Sequence, residues 1–302
     1  MRPVLIVGDS GLLGQALVTV GRSRGLPIRG ASRRSRDILL DAGNPEALAN
    51  VLDEIGPGIV INASGLVDIN QCQVDPAMAW MQNARMPGLL AEECFRRTVQ
   101  LVQVSSDHFF VGDGDAPHDE DSPVTLVNEY ARSKYAGELL ALRCPGTLVI
   151  RTNIVGFRGR PASPTFLEWL LAALESGAPV DLFDDFFTSS ISTAQCANAL
   201  YELLDKGATG RVNLAAREGA SKARFAEEMA RASGLSMKSC RLRSVRSISG
   251  APRAESLVLD VGRAERALGF PLPSLAEVVA QLAEEYRGRP INPGAKPCGT
   301  TP

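Results

Sequence analysis

The sequence predicts an α/β fold, a doubly wound parallel sheet of the Rossmann-like type with a smaller, mixed α/β domain towards the carboxyl terminus. In the first half of this 302-residue chain, short runs rich in Val, Ile and Leu alternate with amphipathic helical segments. Strands separated by helices of that length form right-handed βαβ units. Near-continuous apolar strands are typical of parallel sheets that are covered on both faces. After about Thr152 a loop rich in Gly, Pro and Ser interrupts the alternation, which predicts a second domain.

Each predicted strand and helix corresponds to a short segment of the sequence. The predicted strands are "PVLIVG", "IRGAS", "IVINAS", "VQLVQVSS" and "TLVIRT", with "RVNLA" added from later in the chain. The predicted helices are "GLLGQALVTVGRS", "NPEALANVLDEI" and "MPGLLAEECFRR" in the first half, and "FLEWLLAALESG", "TAQCANALYELLDKG" and "ASKARFAEEMARASG" in the second. The stretch "DLFDDFFTSS" is expected to be rich in turns.

The composition excludes several classes of protein. The chain is 45% hydrophobic and 22% charged, and its net charge of −2 provides no basic field to attract nucleic acid. No apolar run is long enough to span a bilayer, and the amino terminus is too short in its apolar part for a secretory signal, so we expect a cytoplasmic protein without a membrane partner. The six cysteines form no CxxC pair and the two histidines lie in no metal-binding spacing, so the sequence predicts free thiols and no metal site.

A glycine-rich turn follows the first predicted strand. Gly8, Gly11 and Gly14 stand in a G-x-x-G-x-x-G spacing that opens the first helix. Such a turn lets the backbone approach a pyrophosphate, and the amino end of the helix offers free N–H groups and a positive dipole. The position after the first strand of a βαβ series therefore predicts a dinucleotide site that also includes Ser10, Leu12 and Leu13.

The end of the second strand indicates which dinucleotide is bound. An acidic residue usually accepts hydrogen bonds from the ribose there, but "GASRRSRD" supplies Ser32, Arg33, Arg34 and Arg36 instead. Guanidinium groups pair with a 2′-phosphate, which favours NADP(H), with NAD(H) as the alternative cofactor. A solvated basic loop would show the same composition. Asp41 is expected either to cap the next helix or to contact the adenine amino group.

A second set of polar residues belongs to the reactive centre. "VSSD" places Ser106 at the end of a strand, and "NEYARSKYAGE" separates Tyr130 from Lys134 by four residues. Such a pair on one helix face is also common surface decoration. A ketone that receives a hydride needs a proton, which a phenol can give if a nearby lysine lowers its pKa. A serine hydroxyl would polarise the carbonyl group.

These motifs carry a family resemblance. The glycine turn, "INAS" at Asn62, "SSD" and the Tyr-Lys spacing resemble the extended short-chain dehydrogenase/reductase superfamily. The chain is more closely similar to the dTDP-4-dehydrorhamnose reductase family, through "NARMPGLLAEEC", "RTNIVG", "FDDFFTSSISTAQCA" and "APRAESLVLDVGRAERALGFPLPSLAEVV". The resemblance covers about residues 2–286.

The resemblance implies roles for individual residues. Ser106 would bind the carbonyl oxygen, Tyr130 would act as the acid, and Lys134 would tune the tyrosine and contact the ribose. It implies that the cofactor is lined by Asn62, Ala63 and Ser64, and that the substrate is bound by Asp68, Asp107, His108, Asn153 and Arg253.

The sequence departs from the family at the border of the sugar. Ser64 to Leu66 replace the commoner Ala-Ala-Tyr, and His108 begins a segment that differs from the usual Tyr-Val-Phe-Asp-Gly. Because His108 stands where related dehydratases carry a second carboxylate, dehydration is disfavoured. His108 itself fits a surface or packing position as well as a substrate contact.

The function that the resemblance implies is NADPH-dependent reduction of a 4-keto-6-deoxy nucleotide sugar, for a surface polysaccharide or a related glycoconjugate. One alternative is a non-catalytic NADP-binding partner that resembles the regulatory subunit of methionine adenosyltransferase. Another is a nucleotide-sugar epimerase, which would keep its cofactor bound. The sequence names neither the sugar nor the oligomeric state, and a homodimer stays open.

The resemblance also implies a division into domains. We expect residues 1–155, with returning segments at about 188–216, to form the NADP-binding domain. Residues 156–187 and 217–286 would form the substrate-binding domain. The segment 287–302, rich in Gly and Pro, is predicted to be a disordered or loosely attached tail.

Overall fold

The computed structural model describes residues 2–289, and their elements follow the predicted alternation. The strands are β1 (Val4–Val7), β2 (Ile28–Ser32), β3 (Ile38–Leu39), β4 (Ile59–Asn62), β5 (Gln100–Val104), β6 (Leu148–Arg151), β7 (Ile154–Val155), β8 (Val180–Phe183), β9 (Phe187–Thr188), β10 (Ile191–Ser192), β11 (Gly210–Asn213), β12 (Ala220–Ser221), β13 (Cys240–Arg243) and β14 (Ser256–Leu257). The α-helices are α1 (Leu12–Ser23), α2 (Pro45–Ile55), α3 (Ile69–Val74), α4 (Pro76–Trp80), α5 (Met86–Arg96), α6 (Glu129–Ala141), α7 (Phe166–Ser176), α8 (Thr193–Asp205), α9 (Lys222–Ser233), α10 (Gly262–Leu268) and α11 (Leu275–Arg287).

The main sheet has seven strands in the order β11-β6-β5-β4-β1-β2-β3, and every pairing in it is parallel. This confirms the predicted doubly wound sheet. Strand β1 lies between β2 and β4, so the chain winds outwards in both directions from this point. In open parallel sheets, ligands bind at the carboxyl ends of the strands beside such a reversal. The end of β1 is therefore the expected site of the cofactor.

Helices cover the sheet on both faces. Alternate residues of β1 enter different cores, since Val4 and Ile6 pack with Leu17 of α1, whereas Leu5 and Val7 pack with α2 and α5. The later helix α8 packs against α1, where the Tyr201 hydroxyl donates to the Leu17 carbonyl at 2.9 Å. Helix α8 and strand β11, from later in the chain, thus return to the first sheet.

The remainder of the second half forms its own layer. Helices α7, α9 and α11 share an apolar core, and β8 pairs in parallel with β13 while β9 pairs with β12 and β14. The stretch "DLFDDFFTSS" therefore contains most of β8 and all of β9, where we expected turns. Its partners lie far along the chain, and such long-range pairing overrides the local turn signal.

Helix caps follow local rules, with one correction. Thr165 with Glu168, and Ser274 with Glu277, form capping boxes at the starts of α7 and α11. The cap of α2 is Asn44, so the prediction that Asp41 caps this helix was wrong. Asp41 instead accepts a hydrogen bond from the N–H of Gly43 at 3.1 Å, because it lies one turn too early in the chain.

Three further predictions concern the cysteines, membrane-spanning segments and the carboxyl-terminal tail. The cysteines within residues 2–289 are free thiols, and Cys298 lies outside that range. None of the helices in the described part of the chain is long and apolar enough to cross a membrane. Helix α11 ends at Arg287, and residues 290–302 of the predicted tail lie outside the described residues.

Candidate functional site

The glycine turn after β1 has the shape that a pyrophosphate requires. Gly8 has a φ of +90°, and a Cβ there would lie 2.8 Å from the Ser64 backbone nitrogen. A Cβ on Gly14 would lie 2.1 Å from the Gly8 carbonyl oxygen. No side chain caps α1, whose N-cap is Gly11, so the first N–H groups of this helix are open to an anion. These features fit a dinucleotide.

The residues next to the glycines of this turn differ in their burial and in their contacts. Leu13 is buried in the apolar cluster beneath the sheet, whereas Leu12 is half-buried at the helix start. The Ser10 carbonyl accepts a hydrogen bond from an Arg160 guanidinium nitrogen at 2.8 Å. Arg160 thus brings a positive charge from the loop before α7 to the glycine turn, a contact that the sequence did not predict.

A carboxylate lies at the end of β2 after all, but it comes from the glycine turn. Asp9 accepts hydrogen bonds from the hydroxyls of Ser32, at 2.6 Å, and Ser35, at 2.5 Å. The signal was visible as an acidic residue inside "GDSG". Arg33 and Arg34 are exposed, and within residues 2–289 their side chains make no hydrogen bond, so both can meet a 2′-phosphate.

The segment after β4 is held by its own side chains. Buried Asn62 donates to Gln103 at 2.8 Å and accepts from both the N–H and the hydroxyl of Ser64. The N–H of Ala63 donates to the Val7 carbonyl at 2.9 Å. Asn62 therefore fixes the backbone that faces Gly8, and its side chain is fully engaged inside the protein.

The three predicted catalytic residues converge at the carboxyl end of β5. Ser106 follows this strand, and Tyr130 and Lys134 lie on successive turns of α6. The Tyr130 hydroxyl donates to Ser106 Oγ at 3.2 Å, and Lys134 Nζ donates to the Val104 carbonyl at 2.9 Å. All three side chains are buried, which excludes the surface-decoration interpretation of the Tyr-Lys pair.

Burial controls the protonation of this group. Desolvation raises the pKa of the Tyr130 phenol well above its ordinary value, and the hydrogen bond with Ser106 only partly opposes it. Desolvation lowers the pKa of Lys134 to about 8, while Glu138 raises it. The expected lowering of the tyrosine pKa is therefore absent here, where the lysine donates to a carbonyl. Tyr130 is protonated at neutral pH, as an acid must be.

A buried ion-pair network supports α6 from beneath. Glu138 is fully buried and accepts from Arg151 Nη2 at 2.8 Å and from the Ser105 hydroxyl at 2.9 Å. Arg211 of β11 also pairs with it. Glu138 thus joins the helix that bears Tyr130 to the strand end that bears Ser106. The sequence placed Glu138 in a helix but did not indicate its partners.

Asp107 and Asn153 form a polar wall beside Ser106. Asn153 Nδ2 donates to Asp107 Oδ2 at 2.6 Å, and Ser106 Oγ donates to Asp107 Oδ1 at 3.3 Å. Tyr130, Ser106 and Asp107 therefore form a continuous chain of hydrogen bonds. Desolvation raises the pKa of the Asp107 carboxyl above its ordinary value. The Ser190 hydroxyl donates to Asn153 Oδ1 at 2.7 Å and fixes the amide.

His108 is a buried, neutral side chain next to the tyrosine. Its ring meets the Tyr130 ring edge to face at 5.8 Å and lies 6.3 Å from the Phe186 ring. Desolvation, with the charges of Arg253 and Lys222, lowers the pKa of His108 to about 3. Its Nε2 atom is buried and has no hydrogen-bond partner within residues 2–289. This excludes a surface position and leaves one polar atom available to a ligand.

Arg253 connects the reactive centre to a cavity of about 370 Å³. Its Nε atom is buried and has no hydrogen-bond partner in the described part of the chain. Asp68 caps α3 through the N–H of Gln71 at 2.9 Å, and its charge faces Arg253. The cavity is lined by Val111, Val127, Val245, Arg246, Ile248, Gly250, Ala251, Pro252, Arg253 and Glu255.

Lys222 is a further charged residue of the site that the sequence did not indicate. It is the first residue of α9, and its ammonium faces Asp107 across the cleft. The Nζ atom lies 4.9 Å from the centre of the Phe166 ring and 5.7 Å from that of Phe186. "ASKARF" predicted only an amphipathic helix, since no local pattern shows which lysine points into a cleft.

Comparisons with known proteins identify the family of the chain. The sequence profile described as "RmlD substrate binding domain" matches residues 1–287. A Haloferax volcanii protein described as "Probable low-salt glycan biosynthesis reductase Agl14" is 28% identical over 93% of this chain and 97% of its own length. A Mycobacterium tuberculosis dTDP-4-dehydrorhamnose reductase is 33% identical over 72% of this chain and 70% of its own length.

The fold is shared with solved structures. The crystal structure of a dTDP-4-dehydrorhamnose reductase from Bacillus anthracis, in complex with NADP, superposes with a TM-score of 0.85. It covers 94% of this chain and 99% of that one at 22% identity. The predictions of an oxidoreductase and of a nicotinamide dinucleotide cofactor agree with these relatives. The profile match across nearly the whole chain confirms the predicted resemblance, and the chain belongs to the RmlD substrate binding domain family.

Proposed function

We propose that this protein is an NADPH-dependent reductase that converts the 4-keto group of a nucleotide-linked 6-deoxy sugar into an alcohol. The observation that carries the proposal is the buried contact of 3.2 Å between the Tyr130 hydroxyl and Ser106 Oγ, at the carboxyl end of β5, on the sheet edge that also bears the glycine turn. The relative from Mycobacterium tuberculosis, described as a dTDP-4-dehydrorhamnose reductase, supports the same substrate class.

The chain's own residues have separate parts in this reaction. When bound, the reduced nicotinamide supplies a hydride to the carbonyl carbon. When the substrate binds, the hydroxyls of Tyr130 and Ser106 would turn from Ser106 and Asp107 to donate hydrogen bonds to the carbonyl oxygen and hold it in place. Tyr130 then gives its proton to that oxygen, which completes the alcohol. Lys134 remains charged below a pH of about 8 and stabilises the phenolate that is left.

The substrate would lie between the two halves of the chain. Asp107 and Asn153 border the sugar, because they continue the hydrogen-bond chain from Ser106. The 370 Å³ cavity beyond Arg253 offers apolar walls for a nucleoside, and the guanidinium groups of Arg246 and Arg253 are suited to its diphosphate.

The preference for NADPH rests on Arg33 and Arg34. Both are exposed at the end of β2 and both are free to pair with a 2′-phosphate. The Asp9 carboxylate accepts hydrogen bonds from the hydroxyls of Ser32 and Ser35, which hold it at the end of β2. We therefore propose a higher kcat/KM with NADPH than with NADH.

The product would be a deoxysugar nucleotide for a glycan or a surface polysaccharide. The Haloferax volcanii relative, described as a probable glycan biosynthesis reductase, supports this setting, and its match extends over 97% of its length. The non-catalytic partner and the epimerase remain as outcomes of the test below.

The test follows NADPH absorbance as dTDP-4-keto-6-deoxy sugars are added to the wild type and to Tyr130→Phe. We expect the substitution to lower kcat by about 10²–10⁴-fold, the range for loss of a general acid, with the cofactor dissociation constant unchanged. Tyr135→Phe is the matched control, because Tyr135 lies on the same helix and packs against Phe109 at 5.6 Å. It should keep full activity.

Three results would contradict the proposal. Turnover in Tyr130→Phe equal to that of the wild type would exclude the tyrosine as proton donor. Cofactor binding without turnover, over a panel of keto-sugar nucleotides, would favour the non-catalytic partner. A purified protein that retains its cofactor and interconverts sugar epimers without net NADPH consumption would be an epimerase.

A further inference from the structure

Lys222 is held in the cleft by the second half of the chain. Its N–H donates to the Phe186 carbonyl at 3.0 Å, which fixes the start of α9 against the segment before β9. Its side chain crosses the faces of Phe166 and Phe186, with Nζ at 4.9 and 5.7 Å from the ring centres. Two aromatic contacts of this kind restrict a flexible side chain to one direction.

The Phe186 ring also lies 6.3 Å from the ring of His108, the residue after Asp107, which places the ammonium in the neighbourhood of the Asp107 carboxylate. The two charges attract one another, but no ion pair within 4.0 Å joins them in residues 2–289. Within the same residues the ammonium donates no hydrogen bond, although it has three N–H groups. The carboxylate already accepts from Asn153 and Ser106 and has further lone pairs. The space between Lys222 and Asp107 is therefore flanked by a free donor and an acceptor.

Charged groups of both signs lie around this space. Asp107 interacts electrostatically with Lys222, and the charges of Lys222 and Arg253 both act on His108, which is neutral at neutral pH. A carboxylate on the sugar would oppose Asp107, and a bare apolar group would leave the Lys222 ammonium without a hydrogen-bond partner. A hydroxyl group satisfies both sides, because it accepts from the ammonium and donates to the carboxylate.

The position of that hydroxyl follows from Ser106. Its Oγ is placed for the carbonyl oxygen and lies 3.3 Å from Asp107 Oδ1. A hydroxyl bound at Asp107 is then on the carbon next to the carbonyl. In a 4-keto-6-deoxy sugar this is the C3 hydroxyl, because C5 carries the ring oxygen and the methyl group.

We propose that Lys222 and Asp107 together bind the C3 hydroxyl of the sugar, which makes Lys222 a specificity-determining residue. The proposal rests on the proposed reductase function for its substrate class. It goes further, because it names the sugar hydroxyl that the site selects.

The test compares Lys222→Met with the wild type on a matched pair of dTDP-4-keto-6-deoxy sugars, one with and one without the C3 hydroxyl. Methionine keeps the apolar contacts with the two phenylalanine rings and removes the charge. We expect the wild type to prefer the hydroxylated sugar by about 10–100-fold in kcat/KM, and Lys222→Met to lose most of that preference. The loss should appear mainly as a higher KM for the sugar with the C3 hydroxyl, while the KM for the sugar without it should hardly change.

Two measurements keep the result decisive. Lys206→Met, at the exposed end of α8, is the control and should keep the wild-type preference. Calorimetric titration of the reduced product nucleotides, with and without the C3 hydroxyl, reports the same preference without turnover. If no keto sugar is reduced, the proposed function fails, whereas these titrations still decide the role of Lys222.

A different outcome would overturn the proposal. If Lys222→Met lowers kcat/KM equally for both sugars, or for neither, Lys222 does not select for the C3 hydroxyl. The same conclusion follows if the wild type shows no preference within the pair. An unchanged cofactor affinity and unfolding midpoint in Lys222→Met would show that the variant is folded.

Discussion

Lys134 is the residue whose charge state limits the proposed reaction at high pH. It is buried, and desolvation lowers its pKa to about 8. Glu138 on its own helix and Cys72 on α3 act in the opposite direction. Since the pKa is lowered, the charged form exists below this pH and disappears above it. Tyr130 stays protonated throughout, because burial raises its pKa.

We therefore expect kcat/KM to fall as the pH rises through about 8, when Lys134 becomes neutral and no longer stabilises the phenolate. The measurement is the pH profile of kcat/KM with NADPH saturating. In Lys222→Met the fall in kcat/KM at high pH should remain, which distinguishes the effect of Lys134 from that of Lys222. If kcat/KM instead falls near pH 10.5, the ordinary lysine pKa, Lys134 is not the group that titrates.

The glycine turn and α1 show what a single element contributes. The helix starts directly beneath the turn, and Gly14 packs against the Gly8 carbonyl. This contact aligns the open end of the helix with the phosphate-binding backbone. Helix α6 is a second such element, because Tyr130, Lys134 and Glu138 lie four residues apart and are all buried on one face.

We expect Gly14→Ala to weaken NADPH binding by at least about 10-fold and to destabilise the fold by about 1–3 kcal/mol, the usual range for overpacking. The reason is that its Cβ would lie 2.1 Å from the Gly8 oxygen. Fluorescence titration of NADPH and thermal unfolding measure both effects.

Gly88→Ala in α5 is the matched control. Its Cβ would meet Leu140 Cδ1 at 3.5 Å, an ordinary contact, so the higher helix propensity of Ala should make it neutral or slightly stabilising. Equal NADPH affinity in Gly14→Ala and Gly88→Ala would show that the turn tolerates a side chain.

At the scale of the whole molecule, buried charges join elements from distant parts of the chain. Arg151 of β6 and Arg211 of β11 pair with Glu138 of α6 at the base of the site. The side chains of Arg151 and Glu138 are 1% and 0% exposed, so neither has water to replace a lost partner. Breaking such a pair leaves an uncompensated charge in the interior.

We expect Arg151→Met to lower the free energy of unfolding by about 3 kcal/mol, measured by urea denaturation. Arg231→Met, which breaks an exposed pair in α9, should cost less than about 1 kcal/mol. The double variant Glu138→Gln/Arg151→Met should regain part of the loss, because the buried carboxylate is gone and Arg211, which is 20% exposed, keeps access to water. Equal costs for the two single variants would show that the buried pair does not stabilise the fold.

The sequence by itself predicted the parallel sheet, the glycine turn after β1 and the grouping of Ser106, Tyr130 and Lys134. Each depends on neighbours within one strand-helix unit, such as the spacing of Gly8 to Gly14 or of Tyr130 to Lys134. Local patterns record backbone geometry directly, so strands and helices of the first half lie close to their predicted bounds.

The tertiary structure alone decided which residues oppose one another across the cleft. Lys222 interacts electrostatically with Asp107, Asp9 accepts from the hydroxyl of Ser32 in β2, and Arg151 pairs with Glu138. Strand β8, hidden in a turn-like segment, forms because β13 pairs with it. These contacts join residues that are distant in the chain, and they depend on how whole layers pack, which no local pattern encodes.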